Sequence, residues 1–297
     1  MSAVLDLADV AAEQWGLVTT AQARALGVSA QGVARLSDQG ALERMTHGVY
    51  RVSGAPPEPL DELHAAWLTL DPGRRAADRL RDPAPAVVSH RSAAGLHGLG
   101  DLDADEHEFT TQGRKQSRRP GIRLHRGRVA AREWTVVDGM PVTTVLRTVA
   151  DLAAARVDGG HLASVVRDAL TVKQVSDQEL SAVLRPYAHR YGAPLGDGEA
   201  LLARFVQESG VSEPLRRAVE LAGTSTMASP ALDQTLRQIT DIIVAEHVLP
   251  AAALKQIREL VVPFDPAEIS RLTEQLSQAV STPQVQRPMA EQAGKKQ

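Results

Sequence analysis

The chain has 297 residues, enough for more than one hydrophobic core, and a formal net charge of −3, too near neutral for a protein coated in nucleic acid. Cysteine is absent, which excludes disulfides and thiolate metal sites and fits a reducing interior. Aromatic residues make up only 3% of the chain, so its cores must be built from small and branched aliphatic side chains.

The N-terminal stretch MSAVLDLADVAAEQW carries acids where a signal peptide carries bases, and no apolar run reaches the ~20 residues that span a bilayer, so a cytoplasmic protein is expected. Within Ser2–Gln14, Val4, Leu5, Leu7, Ala8, Ala11 and Ala12 fall near helical spacing and predict a first helix. Leu17–Val52 then predicts helix, turn, helix and wing. Thr19 or Thr20 suits the N-cap of a short helix ending near Leu26, and Gly27 follows where the chain must turn. Ser29 can cap a second helix in which Val33 and Leu36, with Val28 and Leu42, face a core and leave Gln31, Arg35, Asp38 and Gln39 outward. Gly40 ends that helix, and Leu42–Met45 and Val49–Val52 predict two strands around Thr46-His47-Gly48. An outward Gln and Arg near a helix start suit base-edge and phosphate contacts. This order of elements favours DNA docking over the alternative of a protein-binding or packing module.

The segment SGAPPEP after Val52 cannot continue a helix and predicts a linker. Leu63, Ala66, Trp67 and Leu70 share one face of a following helix, with Trp67 expected in the core. An arginine-rich, proline-containing break leads to Val87–Gly100, where an apolar pair precedes Ser89, a candidate cap for a helix through Leu96. His90 and His97 are seven apart on that helix, and no third metal ligand lies within the motif. Asp101, Asp103, Asp105, Glu106 and Glu108 then precede a run of bases, Arg114, Lys115, Arg118, Arg119, Arg123, Arg126, Arg128 and Arg132. These stretches predict either a phosphate-binding edge or the two solvated strands of a hairpin, Ile122 and Leu124 alternating with Arg123 and His125. Trp134–Val137 predicts a strand, and Val142-Thr143-Thr144 the entry to a helix through Ala155 in which Arg147 and Asp151 form an exposed i,i+4 pair bracing the helix.

His161–Leu170 and Asp177–Leu184, the second capped by Ser176, predict amphipathic helices. The segment GDGEALLARFV lacks the lysine and Ser/Thr of a phosphate loop and predicts a turn into a helix. Leu232, Leu236, Ile239 and Ile243, then Leu254, Ile257 and Val261, then Ile269, Leu272 and Leu276 predict further helices, with a polar tail from Ser281. No nucleophile elbow, HExxH or cysteine metal spacing supports an enzyme.

The runs GLVTTAQARALGVS and RLSDQGALERMTHGVYRV resemble the N-terminal winged-helix domain of AbiEi-family antitoxins of bacterial toxin–antitoxin systems. VSHRSAAGLHGLG, DGMPVTTVLRTVADLAA and GAPLGDGEALLARF resemble successive landmarks of the antitoxin region, so the likeness spans roughly residues 5 to 222. Proteins similar in their first half can continue into a small endonuclease domain with acids on strands, but here Asp233, Asp241 and Glu246 lie along a helical pattern. The resemblance implies a predominantly helical α+β chain: a winged helix-turn-helix over 1–53, a linker over 54–60, a mixed α/β antitoxin domain over 61–222, a helical extension over 223–280 and a disordered tail over 281–297. It implies a cytoplasmic, non-enzymatic repressor of its own operon that needs no cofactor or metal. Ser29, Gln31, Arg35, Arg44, Thr46, His47 and Arg51 would meet inverted repeats in promoter DNA; because the winged unit's own charge is near neutral, two copies on a repeat, or help from the Arg114–Arg132 edge, are expected. The antitoxin region would neutralise a cognate nucleotidyltransferase-like toxin, by contact or by acting on the toxin's target. Arg114, Lys115, Arg118, Arg119, Arg123, Arg126 and Arg128 are candidates for a second contact surface. A winged-helix transcriptional regulator without a toxin partner is the alternative.

Overall fold

The computed structural model describes residues 3–113 and 120–209, so the expected helices of 223–280, the tail and the bases Arg114, Lys115, Arg118 and Arg119 lie outside the described residues. The architecture is α+β, and the chain divides into two compact units between Ala155 and Arg156.

The first unit begins with α1 (Ala3–Ala12), whose Leu7, Val10 and Ala11 pack with Val18, Ala23, Val28, Val33, Leu42 and Val52. Thr19 is the N-cap of α2 (Thr20–Ala25): its hydroxyl accepts from Gln22 N at 3.1 Å, and Gln22 Oε1 accepts from Thr19 N at 3.0 Å. Gly27 then turns the chain at φ +82°, a conformation that penalises any Cβ. Ser29 caps α3 (Ala30–Asp38) by accepting from Gly32 N at 3.1 Å. β2 (Leu42–Thr46) and β3 (Val49–Val52) form the wing, and β1 (Leu17–Thr19) adds to the other edge of β3. The patterning did not foresee β1, because its three residues are buried alike and only pairing with Val49–Arg51 makes them a strand.

After the linker the chain docks back on this winged unit. Gln14 Nε2 donates to Leu17 O at 2.8 Å and to Gln22 Oε1 at 2.7 Å, while Gln22 Nε2 donates to Arg74 O at 3.0 Å. Thr19 Oγ1 donates to Pro72 O at 2.5 Å. Trp15 stacks on His64 of α4 (Asp61–Leu70), ring centres 4.0 Å apart, and meets Trp67 edge-on at 6.0 Å. Leu17 and Val49 thus share one core with Leu63, Trp67, Leu68, Val88, Phe109 and Val142. The arginine-rich break contains a short helix, α5 (Ala76–Leu80), in which buried Arg79 lies 3.4 Å over the Trp67 ring and donates to Trp67 O at 2.8 Å.

The core rests on a five-stranded sheet of order β6-β5-β4-β8-β7. β4 (Val87–Val88) lies antiparallel to β5 (His107–Thr111) and parallel to β8 (Met140–Thr143). β7 (Trp134–Val137) pairs antiparallel with β8. Two expectations need correction here. The acidic and basic stretches do not form a hairpin: β5 and β6 (Ile122–Arg126) run parallel, and β5 is buried from Glu108 to Thr111 because it lies inside the sheet. Val142 and Thr143 belong to a buried strand, not to a helix entry, and α7 (Val145–Ala154) starts after Thr144, which caps it. Ser89 stands at the N-cap position of α6 (His90–His97), but its hydroxyl makes no capping bond.

The second unit holds α8 (Gly159–Thr171), α9 (Asp177–Leu184) and α10 (Gly198–Glu208), with a 3-10 turn over Arg185–Tyr191. Leu162, Val165, Val166, Leu180, Leu184, Leu201 and Phe205 are buried in it. Ser176 and Glu179 cap α9 reciprocally. Gly198 begins α10 where a Cβ would sit 1.9 Å from Ser181 O, so close helix approach accounts for that glycine. Among the described residues no helix is long and apolar enough to cross a membrane.

Trp67 is fully buried, and Trp67→Ala should cost about 3–5 kcal/mol in urea unfolding. Leu5→Ala, at a 60% exposed position, should stay within about 0.5 kcal/mol. His64 is also fully buried, with Nε2 3.2 Å from Asp138 Oδ2 in a geometry that makes no hydrogen bond. Burial lowers its pKa from the ordinary 6.5, against the opposing pull of Asp138 and Asp61. The unfolded chain therefore takes this proton more readily, so the neutral ring's contribution is complete above about pH 6.5 and is lost as pH falls below it. His64→Phe, which keeps a ring against Trp15, should flatten the acid limb of the stability profile; an unchanged limb would assign it to other groups.

Candidate nucleic-acid interface

Helix α3 is held by buried Val33 and half-buried Leu36, which leaves Gln31 and Arg35 exposed on its outer face. Ser29 is exposed beside them, with its hydroxyl accepting from Gly32 N. On the wing the β2–β3 register shifts between Arg44 and Thr46, a bulge of the kind that re-aims neighbouring side chains. Arg44 and His47 are exposed at the tip, Arg44 Nη2 3.2 Å from His47 Nδ1, and Thr46 is half-buried. A groove of about 480 Å³ runs between α2, the start of α3 and the wing, lined by Thr20, Arg24, Ala30, Arg44, His47 and Tyr50 among others. Arg24 was not singled out from the sequence, although its place in the last turn of α2 is outward and exposed.

Arg51 is placed differently. Its Nη2 donates to Glu43 Oε2 at 2.8 Å and its Nη1 to Asp61 Oδ2 at 2.5 Å, with 11% of the side chain exposed. The hydrogen bond with Glu43 leads the interactions that raise its pKa. Arg51 ties the wing to α4, and its guanidinium is already engaged.

Of the second basic surface, Arg123, Arg126 and Arg128 are described and all are exposed. Arg123 Nε pairs with Glu106 Oε2 at 2.9 Å, reaching the residue just before β5 although its own register partner is Glu108. Arg147 Nε donates to Asp151 Oδ1 at 2.8 Å, and its Nη1 donates to Glu133 Oε2 at 2.9 Å and to Arg128 O at 3.2 Å. The Arg147–Asp151 pair is largely buried, not exposed, because it closes against the 3-10 turn Ala131–Glu133. Burial leads in raising the Asp151 pKa, over the opposing hydrogen bond from Arg147.

A second polar cluster lies on the sheet face carrying Glu108, Thr110 and His125. His90, at φ +53°, stacks on His125 with ring centres 3.6 Å apart. His125 Nε2 lies 2.5 Å from Glu108 Oε2, and His90 Nδ1 lies 3.0 Å from Ser89 Oγ, which accepts from Thr110 Oγ1 at 2.8 Å. Burial lowers the His90 pKa to about 4. Burial works to raise Glu108, but the hydrogen bond with His125 and the nearby His90 and Arg123 outweigh it and leave its pKa lowered. His97 is elsewhere, its Nε2 2.7 Å from Thr143 O.

Residues 6–53 match the family model described as "Transcriptional regulator, AbiEi antitoxin", a span that starts inside α1 and ends one residue past β3. No curated protein matches the chain.

Arg35→Ala should weaken binding to promoter duplex DNA roughly 5- to 150-fold in fluorescence anisotropy, with no change in the urea midpoint. Arg51→Ala should instead cost about 1–3 kcal/mol of stability, because it takes the cation from the buried Asp61 carboxylate and leaves it the Glu58 N–H. Unchanged affinity in Arg35→Ala would remove α3 from the interface.

Proposed function

We propose that this chain, an AbiEi antitoxin transcriptional regulator by its N-terminal domain, binds inverted repeats in the promoter of its own operon and neutralises a cognate nucleotidyltransferase-like toxin. The observation that carries the DNA reading is the outward face of α3, Gln31 and Arg35, beside the exposed Arg44 and His47 of the wing. Gln31 and Arg35 would enter the major groove, and Arg44, Thr46 and His47 would bear on the backbone or the adjacent minor groove. Ser29 would orient α3 as its cap. Arg51 supports the wing in this reading and does not touch phosphate. The winged unit sets four arginines against five acids and so has no net positive charge, and two copies on one repeat supply the affinity that a single copy lacks. Exposed Arg126 and Arg128 are candidates for further phosphate contacts. Neutralisation is assigned to the chain beyond the linker.

Because Leu17 and Val49 share a core with Leu63, Trp67 and Phe109, deleting the winged unit would expose that core. The two activities are therefore better separated by surface substitutions in the full chain. Co-expressed with the toxin encoded beside it, the full chain should restore growth and repress a reporter driven by its promoter. The Gln31→Ala/Arg35→Ala variant should keep rescue and lose repression. Repression without rescue by the unaltered chain would favour a regulator with no toxin partner. Loss of both activities in a folded variant would place both on one surface.

A further inference from the structure

Three side chains far apart in sequence converge where α6 leaves the sheet. One ring nitrogen of His90, one of His125 and a carboxylate oxygen of Glu108 all lie within 4.8 Å of one another, and His90 and Glu108 are buried. We propose that these three residues hold a single divalent transition-metal ion, best matched by zinc, with the fourth position left to water.

The donor set argues for the metal. Two imidazoles and one carboxylate suit zinc, at bond lengths of about 2.0–2.2 Å in a tetrahedral arrangement with one open place. Such bonds put neighbouring donor atoms about 3.3 Å apart, and the His90 and His125 rings, stacked 14° from parallel, would turn out of their stack to aim both lone pairs at one ion. Magnesium and calcium prefer sites made of oxygen alone. The 2.5 Å contact between His125 Nε2 and Glu108 Oε2 would open to admit the ion between them.

The surroundings already hold the three side chains together. Register pairs Glu108 with Arg123 and Thr110 with His125, so Glu108 and His125 are diagonal neighbours on one face of parallel strands. His90 joins them through an uncommon backbone conformation for a residue with a Cβ, φ +53° at the first position of α6. Ser89 Oγ, itself held by Thr110 Oγ1, fixes the His90 ring, as the outer hydrogen bonds of metal-binding histidines do. The Glu108 carboxylate is 7% exposed, and the hydrogen bond described for it is the one to His125. A bound cation would compensate that buried charge and clip edge strand β6 to β5 and α6.

The test uses the full chain stripped with EDTA and titrated with zinc chloride by calorimetry, with cobalt(II) absorbance as a second reading. One zinc per chain is expected, with a raised melting temperature and a tetrahedral cobalt spectrum. Glu108→Gln and His90→Asn, the latter tolerant of the same positive φ, should each abolish stoichiometric binding. Ser89→Ala should weaken it about 10- to 100-fold. Two results would overturn the proposal: no heat and no melting shift in the unaltered chain at millimolar zinc, or one zinc still bound by a folded Glu108→Gln/His90→Asn double variant.

Discussion

A reciprocal pair of buried amides, Gln14 and Gln22, holds the seam on which the first unit depends. Each glutamine donates to the other's side-chain oxygen, and their remaining groups meet Leu17 O, Arg74 O, Thr19 N and Ala76 N. A buried amide group left without a partner costs about 1–3 kcal/mol, so such a network is stable when complete and costly when broken. Trp15, stacked on His64 and donating from Nε1 to Asp138 O at 3.0 Å, adds an apolar plate to the same seam. The consequence reaches α3. Its outer face is carried on a body that includes the sheet, so Gln31 and Arg35 are presented by a rigid frame instead of by a small domain on a tether.

The sheet's pleat then divides its two faces. Successive side chains of a strand point to opposite sides, so Phe109 and Leu124 face the seam core while Glu108, Thr110 and His125 face away from it. A register slip of one residue in β5 would bury Glu108 among Trp67 and Val142 and expel Phe109. The docked winged unit and the histidine–glutamate cluster thus depend on the same strand register, although they lie on opposite faces.

Short-range signals were legible. The cap of α2 at Thr19, the caps of α3 and α9 at Ser29 and Ser176, the left-handed turn at Gly27 and the two wing strands each depend on residues within about four positions, and the structure has them. The α+β class and the AbiEi resemblance of the N-terminal unit were also readable, because several ordered motifs carry them. Strand pairing was not. β1 and the two-residue β4 exist because distant partners complete their hydrogen bonds, and β8 was hidden because a central strand buried on both faces shows no alternation.

The candidate sites divide in the same way. Sequence by itself determined that Gln31 and Arg35 lie outward on a helix following a turn, since helical periodicity is a local property. It could not separate Arg44 from Arg51, two arginines on adjacent wing strands. Only the tertiary structure did so, by bringing Asp61 of α4 against one and leaving the other at the tip. Likewise His90 has His97 as its helical neighbour in sequence, but folding brings it Glu108 and His125 from two parallel strands. Local geometry follows from bonds between near neighbours, whereas side chains far apart in the chain meet only after buried surfaces and strand register have decided where the backbone runs.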